Sequence, residues 1–185
     1  MLTSSAAKDG RKARGDLTVQ NLISATLAII ERDGLSGVTH RSVAQQAGVS
    51  PSSAIYYFAT LDDLMLAALT SAAKDYAQQF QTLLAEGHDE IGAIAEMIAQ
   101  SSGAGRQRAI AERELTLLAA RRPALRAIAN HWRDLVTQTI SKQTNDALKI
   151  QTIVALTDGI CAKALVDDSP VAAKTVRNLI EAALK

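Results

Sequence analysis

Between Ser50 and Tyr57, five of eight side chains end in a hydroxyl: Ser50, Ser52, Ser53, Tyr56 and Tyr57. Ser50 followed by Pro51 is the pairing that caps and starts a helix, because proline at the first helical position gives up an N–H that has no partner there anyway. Small hydroxyls in a first turn let backbone N–H groups approach a phosphate, and tyrosines hydrogen-bond phosphate oxygens. Ile55 has the shape to meet a thymine methyl in a major groove. Such a helix also needs an inner face. Ala54 and Phe58, four apart, supply it against Ile23, Leu27 and Val43, which predicts Ser52, Ser53, Ile55 and Tyr56 on the outside. The competing use of paired tyrosines is packing at an inter-domain seam; that use suits Tyr57 better than Tyr56.

Other chemistries find no comparable grouping. His40, His88 and His131 are too scattered for a metal site, and no HExxH, CxxC or GxxxxGK[ST] occurs. Glu112 and Glu114 are two apart on a helix and cannot face each other, so they make a poor acid–base pair, whereas Arg108 and Glu112 read as an exposed i,i+4 ion pair. Asp158-Gly159 inside a helical pattern reads as a close helix contact, in which a buried Asp158 would need a partner. The single cysteine, Cys161, excludes an internal disulfide and fits a reducing, cytoplasmic setting; on its apolar stripe it reads as a small hydrophobe. The expectation is a chain that is not an enzyme, with no catalytic residues, cofactor or metal.

The elements that position the hydroxyl cluster follow from composition and periodicity. The 185 residues are 48% apolar, 21% charged and 3% aromatic, with net charge +1. Nearly half apolar residues at ordinary charge content excludes a largely disordered chain. No stretch approaches the ~20 apolar residues of a membrane span, and the polar N-terminal residues predict no secretory signal. Alanine, leucine and isoleucine at helical spacing predict an all-α protein. Val19, Leu22, Ile23, Thr26, Leu27 and Ile30 share one face, predicting a first helix over about 19–33 with Thr18 as N-cap and Gly34 as its stop. Thr39 caps a short second helix, with Val38 and Val43 as a hydrophobic staple, and Gly48 closes it. Thr60 opens a long fourth helix with Asp62 and Asp63 in its first turn. Further helices are predicted over about 89–101, 106–122, 123–143, 145–167 and 170–184. Charge is mildly asymmetric: residues 1–58 carry a net +2 and the rest −1. Lys8, Arg11, Lys12 and Arg14 lie in a Ser/Ala/Gly-rich segment with two readings, a mobile arm that reaches DNA phosphates or a plain solvated tail.

The run Ala47-Gly48-Val49-Ser50-Pro51-Ser52-Ser53-Ala54-Ile55-Tyr56-Tyr57-Phe58, followed by Leu61-Asp62-Asp63-Leu64, resembles the helix-turn-helix signature of TetR-family transcriptional repressors. The resemblance spans residues 17 to about 77 and implies dimeric binding of a palindromic operator, released by a small-molecule ligand. Carried over by position, it puts Thr39 and Arg41 on phosphates, Pro51, Ser52, Ser53, Ile55 and Tyr56 in or beside the major groove, and Tyr57 at its edge. The departures are Ala54 and Ile55, where the family most often has leucine then tyrosine, and Leu61, where a phosphate-contacting lysine usually stands. Operator affinity would then lean on the basic arm, and on the N-terminal dipole of the fourth helix if Asp62 and Asp63 do not cancel it.

Residues 114–126 and 156–160 resemble the C-terminal half of the family more loosely. There the resemblance implies an antiparallel four-helix dimer interface, assigned here to Ile153, Thr157, Ile160, Ala164, Val176, Leu179, Ile180 and Ala183; the competing reading makes these stripes one protomer's core. Tyr76, Phe80, Met97, Glu112, His131 and Trp132 are the candidate ligand-pocket residues, although a lone tryptophan in a bundle also serves as plain core. The resulting organisation is a flexible basic arm (1–16), a three-helix DNA-binding domain (17–77) and a helical ligand-sensing and dimerisation domain (78–185), about nine helices in all. The expected partners are double-stranded operator DNA, a second copy of the chain and an unidentified small molecule. The alternative is a helical adaptor for a protein partner with weakened DNA reading.

Overall fold

The computed structural model describes residues 3–185, and side chains from residue 13 onward. The expectation placed on Lys8, Arg11 and Lys12 lies outside the described side chains. Helix α1 runs Thr3–Asp33, so the backbone of the expected arm is helical from Thr3 instead of starting at Val19. Ala, Lys and Arg are good helix formers, and two glycines, at roughly 1 kcal/mol each, do not break the run. Thr18 is therefore no cap: it lies mid-helix, its hydroxyl donating to the Arg14 carbonyl at 2.9 Å. A 3₁₀ turn, Leu35–Gly37, leads to α2 (His40–Ala47), α3 (Pro51–Tyr57) and α4 (Leu61–Ala85). Then follow α5 (Glu90–Ser102), α6 (Arg106–Leu118), the single turn α7 (Arg126–Ala129), α8 (His131–Ile140), α9 (Ala147–Val166) and α10 (Ala173–Leu184). The helix expected over 123–143 is thus broken into a 3₁₀ turn at Pro123–Leu125, α7 and α8. No strand occurs among the described residues, and no helix is long and apolar enough to cross a membrane.

Two apolar cores organise the bundle. The first gathers Leu22, Ile30, Val43, Ala54 and Phe58 with Leu64 and Leu69 of α4, and it extends to Ala111, Leu115 and Leu125. The second packs Phe80 and Leu83 with Ile94, Ile98, Ile140, Ile153, Val176 and Ile180. Helix α6 therefore belongs in part to the head's core, although it lies beyond the boundary expected at residue 77. Helix α4 contributes side chains to both cores.

Candidate nucleic-acid interface and internal cavity

The geometry of α3 follows from its neighbours. Thr39 caps α2 reciprocally with Ser42: its hydroxyl accepts the Ser42 N–H at 3.0 Å, and the Ser42 hydroxyl accepts the Thr39 N–H at 3.0 Å. Gly48 ends α2 at φ 68°, a left-handed conformation that a Cβ would strain, and Val49 N–H then closes on Ala44 O at 2.9 Å. Ser50 caps α3, accepting the Ser53 N–H at 3.1 Å. Ala54 and Phe58 are buried as expected, which turns the other face outward. Pro51 and Ser52 are exposed and Ser53 half-buried, while Ile55 is 51% and Tyr56 81% exposed. An apolar residue and a tyrosine held this open beside two serines form a surface shaped for contact. Thr39 and Arg41 are exposed on the adjoining start of α2. Tyr57 is half-buried, stacked edge-on against Tyr56 with centroids 5.1 Å apart, and its hydroxyl lies against Gly15 of α1. Tyr57 thus packs on the head's own core and against α1, not at the inter-domain seam that the competing reading gave it.

Sequence reasoning missed His40. Its Nε2 donates to the Phe58 carbonyl at 2.8 Å and ties the start of α2 to the end of α3. The dipole of α4 is already engaged. Asp63 accepts the Thr60 N–H at 3.1 Å and the Thr60 hydroxyl at 2.7 Å, and Asp62 pairs with Arg122 at 3.1 Å. Two carboxylates occupy that terminus and leave little of its dipole for a phosphate, which is the cancelling case of the two left open by the sequence.

Below the head, a cleft of about 600 Å³, open mouth included, is lined by Tyr76, Met97, Glu112, His131 and Trp132, together with Arg113, Arg133, Asp158 and Cys161. Phe80, the sixth candidate, is not among the lining residues; it is buried in the second core. The Tyr76 ring lies 5.4 Å from His131 and 5.8 Å from Trp132, centroid to centroid. His131 Nδ1 donates to Ile128 O at 2.9 Å, whereas its Nε2 and the Trp132 Nε1 are buried without a partner. Glu112 is only 6% exposed. Its ion pair with Arg108, 2.9 Å long, is therefore half-buried and not the exposed pair expected. Burial holds the Glu112 carboxyl above the usual carboxylate range despite Arg108 and the Tyr76 hydroxyl, and the same burial, with Glu112 next in weight, pushes the Tyr76 phenol up. Burial also pushes the Cys161 thiol up to about 11, which keeps it protonated.

The partner demanded for Asp158 exists twice over. Arg113 reaches Oδ1 at 2.8 Å and Arg133 reaches Oδ2 at 2.6 Å. Burial raises this carboxyl and the two guanidinium hydrogen bonds lower it by more, leaving it below the usual range. Neither arginine stands out in the sequence, because no local pattern marks which basic residues reach Asp158 from α6 and α8.

Comparison with known proteins decides the family. Residues 22–68 match the profile of bacterial regulatory proteins of the tetR family, and residues 86–185 match the tetracyclin repressor-like C-terminal domain. The chain belongs to the TetR family. It is accordingly a DNA-binding transcriptional regulator with a helix-turn-helix. Among curated proteins there is no match. Among solved structures, the multidrug binding protein EbrR complexed with imidazole shares 34% identity over 90% of this chain and 94% of that one, with a TM-score of 0.77. EbrR complexed with malachite green shares 33% identity over 90% and 98%, TM-score 0.76. A TetR-family member from Streptomyces coelicolor A3, SCO1917, shares 33% over 91% and 98%, TM-score 0.79.

The TetR assignment leaves one correction to the expected dimer surface. Ile153, Thr157, Ala164, Val176 and Ile180 are buried within a single chain; Ile153, Val176 and Ile180 belong to the second core, where α9 packs on α5 and α8 and α10 packs on α5. Ile160 and Ala183 are half-buried, and only Leu179, at 42%, is exposed. The open face of α9 is instead Leu148, Thr152, Ala155, Gly159 and Val166, spaced at three, four and seven residues, with unoccupied space over Gly159.

Proposed function

We propose that this TetR-family regulator is a repressor that binds a palindromic operator as a homodimer in the cytoplasm and leaves it when a small molecule enters the cleft beneath the head. The observation that carries the DNA half is the outward face of α3: Ser52, Ile55 and an 81% exposed Tyr56 on a helix whose inner side is fixed by Ala54 and Phe58. Thr39, Arg41 and the N-terminal basic residues serve as phosphate contacts, Pro51, Ser53 and Tyr57 border the groove, and Ser52, Ile55 and Tyr56 read base edges. Two α3 helices must then present themselves about 34–36 Å apart, or a multiple of that. The exposed face of α9, with Leu179 of α10, is the surface on which a second copy would settle; Gly159 and Ala155 allow close helix approach there.

Support for the ligand half is the cleft itself, with its aromatic wall and buried acid, and the similarity to EbrR, a multidrug binding protein complexed with malachite green. Release would be a population shift: ligand favours a spacing of the two reading helices that no longer matches the half-sites. The test is fluorescence anisotropy with duplex DNA from upstream of the protein's own coding region. Binding that resists random competitor DNA and yields to a small molecule is expected; competition by random DNA at equal efficiency would contradict it.

A further inference from the structure

The turn that follows α6 belongs to the body by sequence but is fastened to the reading head. Leu125 of this turn is fully buried in the head's core, and Arg126 folds back to donate to the carbonyls of Ala119 and Ala120 at 3.3 and 3.4 Å. Arg122 stretches from the same turn to the first turn of α4. Its Nη1 lies 3.1 Å from Asp62 Oδ1 and donates to Oδ2 at 3.3 Å. Among the described residues its Nε and Nη2 have no partner, and the side chain is 53% exposed. Arg121 is exposed beside it.

His40 joins the start of α2 to Phe58 at the end of α3, and α4 begins three residues later at Leu61. These three helix ends form one rim, on which stand Thr39 and Arg41, the phosphate contacts of the repressor reading. A major groove about 12 Å wide is walled by phosphates on both sides, so a rim at the end of the helix that enters it meets backbone. At the α4 part of the rim the first turn brings no cation of its own. Leu61 packs half-buried on the head's core, and Asp62 and Asp63 are acids that repel a phosphate.

We propose that Arg122 is a DNA phosphate contact supplied by the body: Nη1 stays on Asp62 while Nε and Nη2 face the backbone beside the half-site, and Arg121 adds a second positive charge. A guanidinium carries more donors than one carboxylate takes up, so it serves both at once. Together the two arginines offset the two acids of the α4 terminus. An ion pair this exposed holds head to body only weakly, so fold stability gives little reason for it. The inference rests on α3 reading DNA and adds a contact from outside the helix-turn-helix.

Fluorescence anisotropy with duplex from upstream of the protein's own coding region and with random duplex, repeated over a salt series, tests this. Each phosphate contact adds about one to the slope of log K against log salt concentration. Arg122→Gln should therefore flatten the slope by about two across two half-sites and weaken both duplexes by the same factor. Arg122→Lys keeps the charge and should keep the slope. Asp62→Asn removes a repelling charge and should tighten both duplexes several-fold. A plain clasp between head and body would instead weaken binding in Arg122→Gln and Asp62→Asn alike, with the salt slope unmoved. That pattern, or a slope in Arg122→Gln equal to that of wild type, would overturn the proposal. Lys142, 62% exposed and paired with Glu90 beyond the far end of α4, provides the control. Lys142→Gln should leave slope and affinity as in wild type, and a matching loss there would also overturn the proposal. A wild type that binds no duplex overturns the repressor reading together with this inference. A wild type that prefers its operator, with the Arg122→Gln slope unchanged, sinks this inference alone.

Discussion

The Glu114 carboxylate on α6 accepts the backbone N–H of Leu35 at 2.9 Å, joining the body to the turn between α1 and α2. Two residues earlier on the same helix stands Glu112, in the cleft wall, and Gly34, at φ 73°, packs its backbone against the same Glu114 carboxylate. A displacement of α6 by a bound ligand would therefore pull directly on the reading head. Glu114→Ala should lower stability by about 1.5–3 kcal/mol, the range for a hydrogen bond to a charged group. It should also leave operator affinity within a few-fold of wild type while blunting release by ligand. Thermal melts and anisotropy with and without ligand check both halves.

His40→Ala removes the 2.8 Å tie to Phe58 O and leaves that carbonyl without its partner. A loss of about 1 kcal/mol in unfolding free energy is expected. Operator affinity should fall by more than this suggests, because α3 loses its fixed angle to α2. Urea melts alongside anisotropy measure the two effects separately.

Much of the head was legible in the sequence because its signals are local. Thr39, Gly48, Ser50-Pro51 and Thr60 each fix a helix end through their own chemistry, and Ala54 and Phe58 fix the inner face of α3 by spacing alone. The cleft was partly legible: five of its six proposed residues line it because large or polar residues on otherwise apolar stripes are few here. Asp158 with its two arginines, and His40 with Phe58, depend on side chains meeting from distant elements, which periodicity does not encode. The dimer stripe failed for a related reason. Helix α9 is apolar nearly all round, so a stripe through Ile153, Thr157 and Ala164 could face the chain's own core or a partner, and packing against α5 and α8 decides for the core.

Asp158 sets a pH dependence. Its carboxyl lies below the usual range in the folded state, so its contribution to stability is fully present above the unfolded value of about 3.9 and is lost as pH falls through the lower folded value. Asp158→Asn should melt at lower temperature than wild type at pH 7, with the gap closing in the acid range. Calorimetry across pH 2–7 reads this; a gap that widens on acidification would contradict the pairing with Arg113 and Arg133.

Gly159→Arg places a long cation on the open face of α9, where nothing lies within 4 Å. The single chain accommodates it, whereas a dimer built on this face does not. Sedimentation should show a monomer at micromolar concentration, with operator affinity lost in parallel. A dimer that persists would move the interface elsewhere.

The central claim is that the outer side of α3 reads base edges. Tyr56 is 81% exposed, so Tyr56→Ala should leave the melting temperature unchanged. The decisive measurement is anisotropy with operator and random duplexes for wild type and the double variant Ser52→Ala, Tyr56→Ala. The account predicts that the variant loses about 1–3 kcal/mol of preference for operator over random DNA while its binding to random DNA changes little. Undiminished discrimination in that variant would contradict it.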